Sequence, residues 1–587
     1  MTKQLCVAAL CAAAVVAAGC GGGNKSSSVG GSTGAPTGKA KTGGNLTVLY
    51  NSDVDFIDPG VTYYQYGFNV AYMTQRPLFS YKPEDATNAV PDLAAGPAKI
   101  SNGGKTVTIK IRKGIRFSPP VNREVTSADV KYALERGYNP NVAGEYLAYF
   151  ADVKGAAAAT KGAKPGKTPN IAGIETPGRS TIRFQLERPR AAIVVGALSL
   201  PASAPVPRDY AEKYDKQKPS QYGSHQVATG PYMIQNNGKA NASGYSPGKF
   251  IKLVRNPSWK RSTDYKPAYL DSITIEEGVD PDVGSRRILN GQGMANGDFQ
   301  LPPQIIKTVS TGTKKKQLVV TPPTGRFRYI AFDVRKKPFD NINVRKAIAA
   351  AFDRTALRQA FGGPATGDIP THFIPPGQPG FDEAGGTSGP GFDFMKNPAG
   401  DMDVATAYMK KAGFPSGKYT GGKTFLAIGD SATQQRRVVE AAQAQFAKLG
   451  FKVDLRFVKR QTMYTKYCQV PADQPPICPS VGWLKDFADP ETILDLTFNG
   501  KNILKSGNSN FANLNDPKIN AAMHKAEVIT DRAGRDKAWG EIDNMVTAQA
   551  PGVLWLWDRQ PNLESTNVNG VINKSLATWD FSYTSLK

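Results

Sequence analysis

The stretch from Lys423 to Val458 places a strand, KTFLAIG (423–429), a helix, QQRRVVEAAQAQFAKLG (434–450), and a second strand, KVDLRFV (452–458), in immediate succession. A helix that joins two strands so closely crosses over their sheet, and the strands it joins come out parallel. The chain must therefore hold an α/β layer with a helix-covered face. Alternating apolar residues predict further strands at LTVLY (46–50), KTVTIKIRKGIRF (105–117), TIRFQL (181–186), KFIKLVRN (249–256), DSITIEEG (271–278) and YIAFDV (329–334). Helices are predicted at 126–136, with Thr126 as N-cap and Asp129 at N3, and at 344–361 and 403–413. The Gly- and Pro-rich residues 362–400 read as a long surface loop. At 587 residues the chain has length for roughly three or four domain-sized units.

The amino terminus does not belong to that body. Lys3 precedes an apolar run from Leu5 to Ala18, shorter than the roughly 20 residues a membrane-spanning helix needs, so residues 1–19 read as an export signal. The run ends Ala17-Ala18-Gly19-Cys20, which resembles the lipobox of bacterial lipoprotein signals and implies lipidation of Cys20. Two or three acyl chains bury enough methylenes, at about 0.8 kcal/mol each, for stable anchoring. Residues 20–44 are rich in Gly and Ser and read as a tether.

Cys6 and Cys11 leave with the signal, so Cys468 and Cys478 are the two cysteines left for the folded body. In an exported chain that pair is expected to form a disulfide. The formal charge of +24 is scattered, with Lys314-Lys315-Lys316 its densest run; this suits an anionic cell surface and, with export, argues against nucleic acid.

Catalysis finds little support. The three histidines, His225, His372 and His524, stand in unrelated contexts, each expected to be structural or exposed, and no G-x-S-x-G, H-E-x-x-H or Walker A pattern occurs. No catalytic residue, metal site or cofactor is expected, although distant paired carboxylates of a glycosidase kind stay open. In GWLKDFADPETI (482–493), Asp489-Pro490-Glu491 has the form of a helix start: N-cap, Pro at N1, acidic first turn. Asp486, between Trp483 and Phe487, is either an exposed turn residue or a receptor for a cation.

A series of segments in fixed order goes further: GGNLTVLYNSDVDFIDPG, RPLFSY, PDLAAGPAKISNGGKTVTIKIRKGIRFSPPVNREVTSADVKYALER, TGPYMI, LVRNPSW with PAYLDSITI, FDNINVRKAIAAAFDR, AGFPSGKY, GWLKDFADPETIL and APGVLWLW. Over nearly all of residues 43–587 the chain resembles the family 5 extracellular solute-binding proteins of ABC importers, the group that includes dipeptide- and oligopeptide-binding proteins. The resemblance implies an α/β fold, a two-lobed clamshell of the periplasmic-binding-protein class II type with an extra subdomain in lobe one. It places lobe one at 45–322 plus 557–587 and lobe two at 323–556, with chain crossings near Thr321 to Tyr329 and Pro551 to Gln560. It implies that Asp486 pairs with a ligand ammonium group. Gly230 and Tyr232 lie either in a cleft-facing turn or in a plain β-turn. Tyr63, Tyr64 and Tyr66 either wall the pocket or belong to the core, and Trp483, with Phe487 nearby, lines the cleft floor or packs beneath it. Asp333 departs from the family's usual asparagine, and no arginine is assignable to a ligand carboxylate.

The function so implied is a non-enzymatic, monomeric, lipid-anchored receptor on the outer face of the cell membrane. It would deliver an oligopeptide-like solute to an ABC permease and its ATPase subunits. A sensor or surface-binding protein on the same scaffold and an exported hydrolase are the alternatives.

Overall fold

The computed structural model describes residues 40–323 and 325–587. The export signal, Cys20 and most of the tether lie outside the described residues. The end of the expected tether is docked to the body: the Gly43 amide donates to the Tyr269 carbonyl at 2.8 Å and the Gly44 amide to Asp271 Oδ2 at 2.9 Å.

The protein has two lobes, built on separate sheets. In the first, Asn45–Leu49 runs parallel to both Ser272–Glu276 and Ala295–Asn296, while Phe250–Arg255 and Tyr232–Ile234 complete the main path antiparallel. A four-stranded antiparallel sheet, Lys99–Ser101, Thr106–Lys110, Thr181–Gln185 and Ile174–Glu175, forms the base of an additional subdomain. The helix Ser127–Arg136 covers this sheet and begins with the expected capping box, the Thr126 amide donating to Asp129 Oδ2 at 2.8 Å. The expected strand 105–117 is shorter than its alternation suggests. Pairing along Thr106–Lys110 gives way to a turn at Gly114, whose φ of +78° favours glycine.

The second lobe is built on Gly367–Asp368, Gly552–Asp558, Arg326–Phe332, Ile477–Leu484, Thr424–Asp430 and Lys452–Val458, in that order across the sheet. The βαβ unit appears as expected: Thr424–Asp430 and Lys452–Val458 pair in parallel along their full length, joined by the helix Thr433–Lys448. The helix expected over 344–361 is two helices, Ile342–Ala351 and Arg354–Phe361. Asp353 divides them, because its carboxylate accepts the Ala356 amide at 2.8 Å and caps the second. Residues 362–400 are not simply a surface loop. Gly367–Asp368 joins the sheet edge, and His372, Phe373 and Ile374 are buried, with His372 Nδ1 bonded to Asp543 Oδ2 at 2.8 Å.

Two chain segments run side by side from one sheet to the other. Leu318–Val320 pairs with Pro561–Leu563, the Thr321 amide donates to the Gln560 carbonyl at 3.0 Å, and Arg326–Phe332 then pairs with Gly552–Asp558. The disulfide Cys468–Cys478 joins buried residues with Cα atoms 6.0 Å apart. It ties the helical turn Met463–Cys468 to the strand Ile477–Leu484, which leads into Asp486. Among the described residues no helix is long and apolar enough to cross a membrane.

Candidate functional site

The strand Ile477–Leu484 sits inside the second-lobe sheet, and its alternation decides what each side chain near its end can do. Trp483 lies opposite Phe327, is 8% exposed, and donates from Nε1 to the Thr492 carbonyl at 2.7 Å. It packs beneath the cleft rather than lining it. Lys485 is buried, its Nζ donating to the Ser575 carbonyl at 3.0 Å and to Ser575 Oγ at 3.2 Å. Phe487 inserts into the core of the first lobe's subdomain, with its ring 4.9 Å from Tyr149. A Cβ on Gly196 would lie 2.4 Å from the Phe487 ring, so this glycine makes room for it.

Asp486 is left between these anchors, half-buried, accepting a hydrogen bond from the Tyr149 hydroxyl. No cationic side chain lies within 4.0 Å of it among the described residues. Burial pushes its carboxyl up to about 7, against the Tyr149 bond and the nearby charge of Lys485. Around it stands a run of phenols: Tyr149 stacks with Tyr146 at 6.4 Å and Tyr146 with Tyr63 at 5.7 Å. Burial, and then the charge of Asp486, push all three phenols well above their ordinary range. Asp486 thus stands half-buried among aromatic faces, with a hydroxyl partner and no cationic side chain within 4.0 Å among the described residues.

The tyrosine run continues to an opposite electrostatic end. Tyr64, 38% exposed, donates from its hydroxyl to Gln461 Oε1 at 3.0 Å, bridging the lobes, and lies 5.4 Å from the ring of the half-buried Tyr66. Nearby are two guanidinium groups. Arg326 reaches Gln65 Oε1 at 3.3 Å and Asp558 only at 3.7 Å, because Arg328 holds that aspartate at 2.7 Å. Arg460 sits 5.9 Å over Tyr464 with no carboxylate within 4.0 Å among the described residues. Burial draws the Arg326 guanidinium down to about 10; Asp558 works against this, and Arg328 and Arg460 add to it. One end of the tyrosine run thus carries a carboxylate and the other two guanidinium groups, that of Arg460 exposed to solvent.

Tyr63 is linked to Asp486 through Tyr146 and Tyr149, Tyr64 and Tyr66 pair beside it, and Phe487 is buried in the subdomain core. Gly230 and Tyr232 do not join them. The Gly230 amide donates to the Thr74 carbonyl at 2.8 Å, and a Cβ there would lie 2.6 Å from the Met73 carbonyl oxygen. Tyr232 is fully buried in the first-lobe core and donates to the Leu270 carbonyl at 3.1 Å. The glycine serves close packing against the helix Gln65–Thr74.

The reading of Asp489 and Glu491 as no more than a helix start is also corrected. Asp489 Oδ1 does accept the Glu491 amide at 2.9 Å, but the same carboxylate is held by Arg535 through two bonds of 2.8 Å. Glu491 is buried between Arg190 of the first lobe, at 2.9 Å, and Arg535 of the second, at 2.6 Å. Burial opposes its ionisation, and the two arginines overcome this, holding it below the usual carboxylate range. Glu491, Asp495 and Glu527 bring carboxylate oxygens within 4.8 Å of one another. Arg188, Arg190, Lys501 and Arg535 occupy them, so this is an ion-pair network closing one lobe on the other. Asp333 is held by Arg335 at 2.7 Å, which accounts for a charged residue at that buried place.

Sequence reasoning missed Tyr146, Tyr149, Arg326 and Arg460. Tyr146 and Tyr149 carry a signal, an i, i+3 aromatic pair in EYLAYF, and Arg326 and Arg328 place two charges on one face of an otherwise apolar strand.

Comparison with known proteins bears on the family and the fold. The sequence profile of the bacterial extracellular solute-binding proteins, family 5 Middle, matches residues 88–505. Heme-binding protein A of Haemophilus influenzae is 25% identical over 467 residues, 78% of this chain and 76% of that protein. Glutathione-binding protein GsiB of Salmonella typhimurium is 28% identical over 374 residues, 63% of this chain and 61% of that one. Among solved structures, clavulanic acid biosynthesis oligopeptide binding protein 2 superposes with a TM-score of 0.78 at 25% identity, covering 93% of this chain and 96% of that one. Haemophilus influenzae OppA in complex with RPPGFSPFR superposes at 0.72 with 20% identity, covering 93% and 100%. The chain belongs to the bacterial extracellular solute-binding proteins, family 5.

Proposed function

We propose that this protein is the solute receptor of an ABC importer and that its solute is a peptide-like molecule carrying both an amine and an anionic group. The observation that carries this reading is Asp486, a carboxylate without a cation, enclosed by tyrosines between two lobes. A ligand ammonium supplies the missing charge, and the charge-assisted bond it forms in a desolvated space is short and orienting. Arg326 and Arg460 suit an anionic group at the far end. The relatives support the class: their names specify glutathione, heme and peptides, and the first of these carries amine and carboxylates together.

Capture is coupled to closure. The paired segments Thr321 to Tyr329 and Pro551 to Gln560 act as the hinge between lobe one (45–322 plus 557–587) and lobe two (323–556), and the permease recognises the closed form. The protein acts as a monomer and catalyses no reaction on the solute. Native mass spectrometry of protein purified without denaturation is expected to find a retained solute with a primary amine, and deletion of the protein should abolish uptake of that solute. Hydrolysed product in place of intact solute would favour a hydrolase, and intact uptake after deletion would favour a sensor.

The family is extracytoplasmic. We further propose anchoring through acylated Cys20, on the strength of the Ala17-Ala18-Gly19-Cys20 sequence. Mass spectrometry of membrane-fraction protein should show an amino-terminal diacylglyceryl cysteine; a soluble product beginning elsewhere would refute this.

A further inference from the structure

A second group of carboxylates stands outside the cleft network just described. The parallel strands Asn45–Leu49 and Ser272–Glu276 end at the same edge of the first-lobe sheet, so the chain just past each brings Asp53 and Glu277 together. Glu277 is 8% exposed, and neither of its carboxylate oxygens has a hydrogen-bond partner. Asp53 faces it, held by the Tyr245 hydroxyl at 3.1 Å and 3.2 Å and by the Gly248 amide at 3.1 Å. Asp298, which accepts the Asn51 and Ser52 amides at 2.6 Å and 3.0 Å, adds negative potential at Glu277, as Asp55 does at the neighbouring Tyr245.

None of these four carboxylates has a lysine, arginine or histidine within 4.0 Å among the described residues. That is notable in a chain with 73 basic and 49 acidic residues. A buried carboxylate without a hydrogen-bond partner is costly unless a cation partners it.

We propose that Asp53 and Glu277 bind a calcium ion between their carboxylates. The donors are all oxygen, which selects a hard cation over zinc or copper. The Glu277 oxygens have essentially no accessible surface, so an organic ammonium cannot reach them, whereas a bare ion bonding at about 2.3–2.6 Å can. Calcium accepts an irregular oxygen shell, completed by neighbouring main-chain carbonyls; magnesium demands a tighter octahedron. Bound there, the ion ties the loop after the first strand to the end of the Ser272–Glu276 strand.

The test uses the mature full chain in calcium-free buffer at neutral pH. In about 5 mM CaCl2, against dissociation constants of order 0.1–1 mM, Tm is expected to rise by about 2–5 °C and to fall back with EGTA. Equilibrium dialysis with radioactive calcium should find one ion per chain. Glu277→Gln, nearly isosteric, should bind calcium about tenfold or more weaker and lose the Tm response, and Asp53→Asn should do the same. If wild type binds no calcium, if both folded variants bind it as wild type does, or if only magnesium produces the shift, the assignment is overturned.

Discussion

Replacing Asp486 with asparagine should weaken binding of a free-amine peptide by about 100-fold or more. The loss reflects a desolvated ammonium left without its counter-charge, an effect of about 2–5 kcal/mol. Calorimetry with the same peptide carrying an acetylated amine supplies the control, because that ligand never offers the charge. Wild type and Asp486→Asn should bind the blocked peptide within a few fold of one another. Equal affinity of the two proteins for the free-amine form would remove Asp486 from the site.

The same carboxylate sets a pH dependence. With its value at about 7 in the unliganded protein, only the ionised form receives an ammonium. Affinity should therefore fall by up to about tenfold per unit below pH 7, while the blocked peptide shows no such slope. For stability the sign is reversed. The folded state holds the proton more tightly than the unfolded chain, so the burial penalty is absent below the unfolded value of about 4 and fully present above about 7. Unliganded protein should thus lose stability from this group as pH rises through that window, and a bound amine should restore it.

The second large effect is expected at Glu491. Its removal as Glu491→Ala takes from Arg190 and Arg535 the carboxylate they share, leaving Arg190 the longer contacts to Asp152 at 3.3 Å and Glu527 at 3.9 Å and Arg535 that to Asp489, at a cost of about 3 kcal/mol. Denaturant unfolding at pH 7 measures this directly, and a loss below about 1 kcal/mol would show that Asp152, Asp489 and Glu527 neutralise the arginines unaided. Here the folded value is depressed, so the stabilisation is complete above the ordinary carboxylate range and is lost as pH falls through the folded value. The variant should accordingly lose less of its stability in acid than wild type does. Because Arg190 and Glu491 belong to different lobes, small-angle scattering should also show a larger open fraction for Glu491→Ala.

What could be read from the chain depended on how far apart the interacting residues lie. The capping box of Thr126 and Asp129 is three residues long, and the βαβ unit is closed by one helix, so both are written locally. The helix over 344–361 was misread as one because its apolar period continues across Asp353; the cap that divides it competes with that period and wins. At the site, Asp486 stood out because no local feature explained it. Its hydroxyl partner, Tyr149, is 337 residues distant, and Glu491 meets Arg190 across 301. Tyr232 was drawn toward the cleft by its neighbours in sequence, yet strand alternation turns it into the core.

Local sequence thus determined most of the elements, the parallel crossover and the disulfide partners, and singled out Asp486 as an acid its own segment does not explain. Short-range sterics and hydrogen bonds act within a few residues and leave their pattern in the order of side chains. The tertiary structure alone decided which charges are neutralised. Coulomb energy depends on distance and on exclusion of water, and both arise when segments hundreds of residues apart close around the same space. That is why Glu491 became an interlobe ion pair while Asp486, a few residues away, kept no charged partner within 4.0 Å among the described residues.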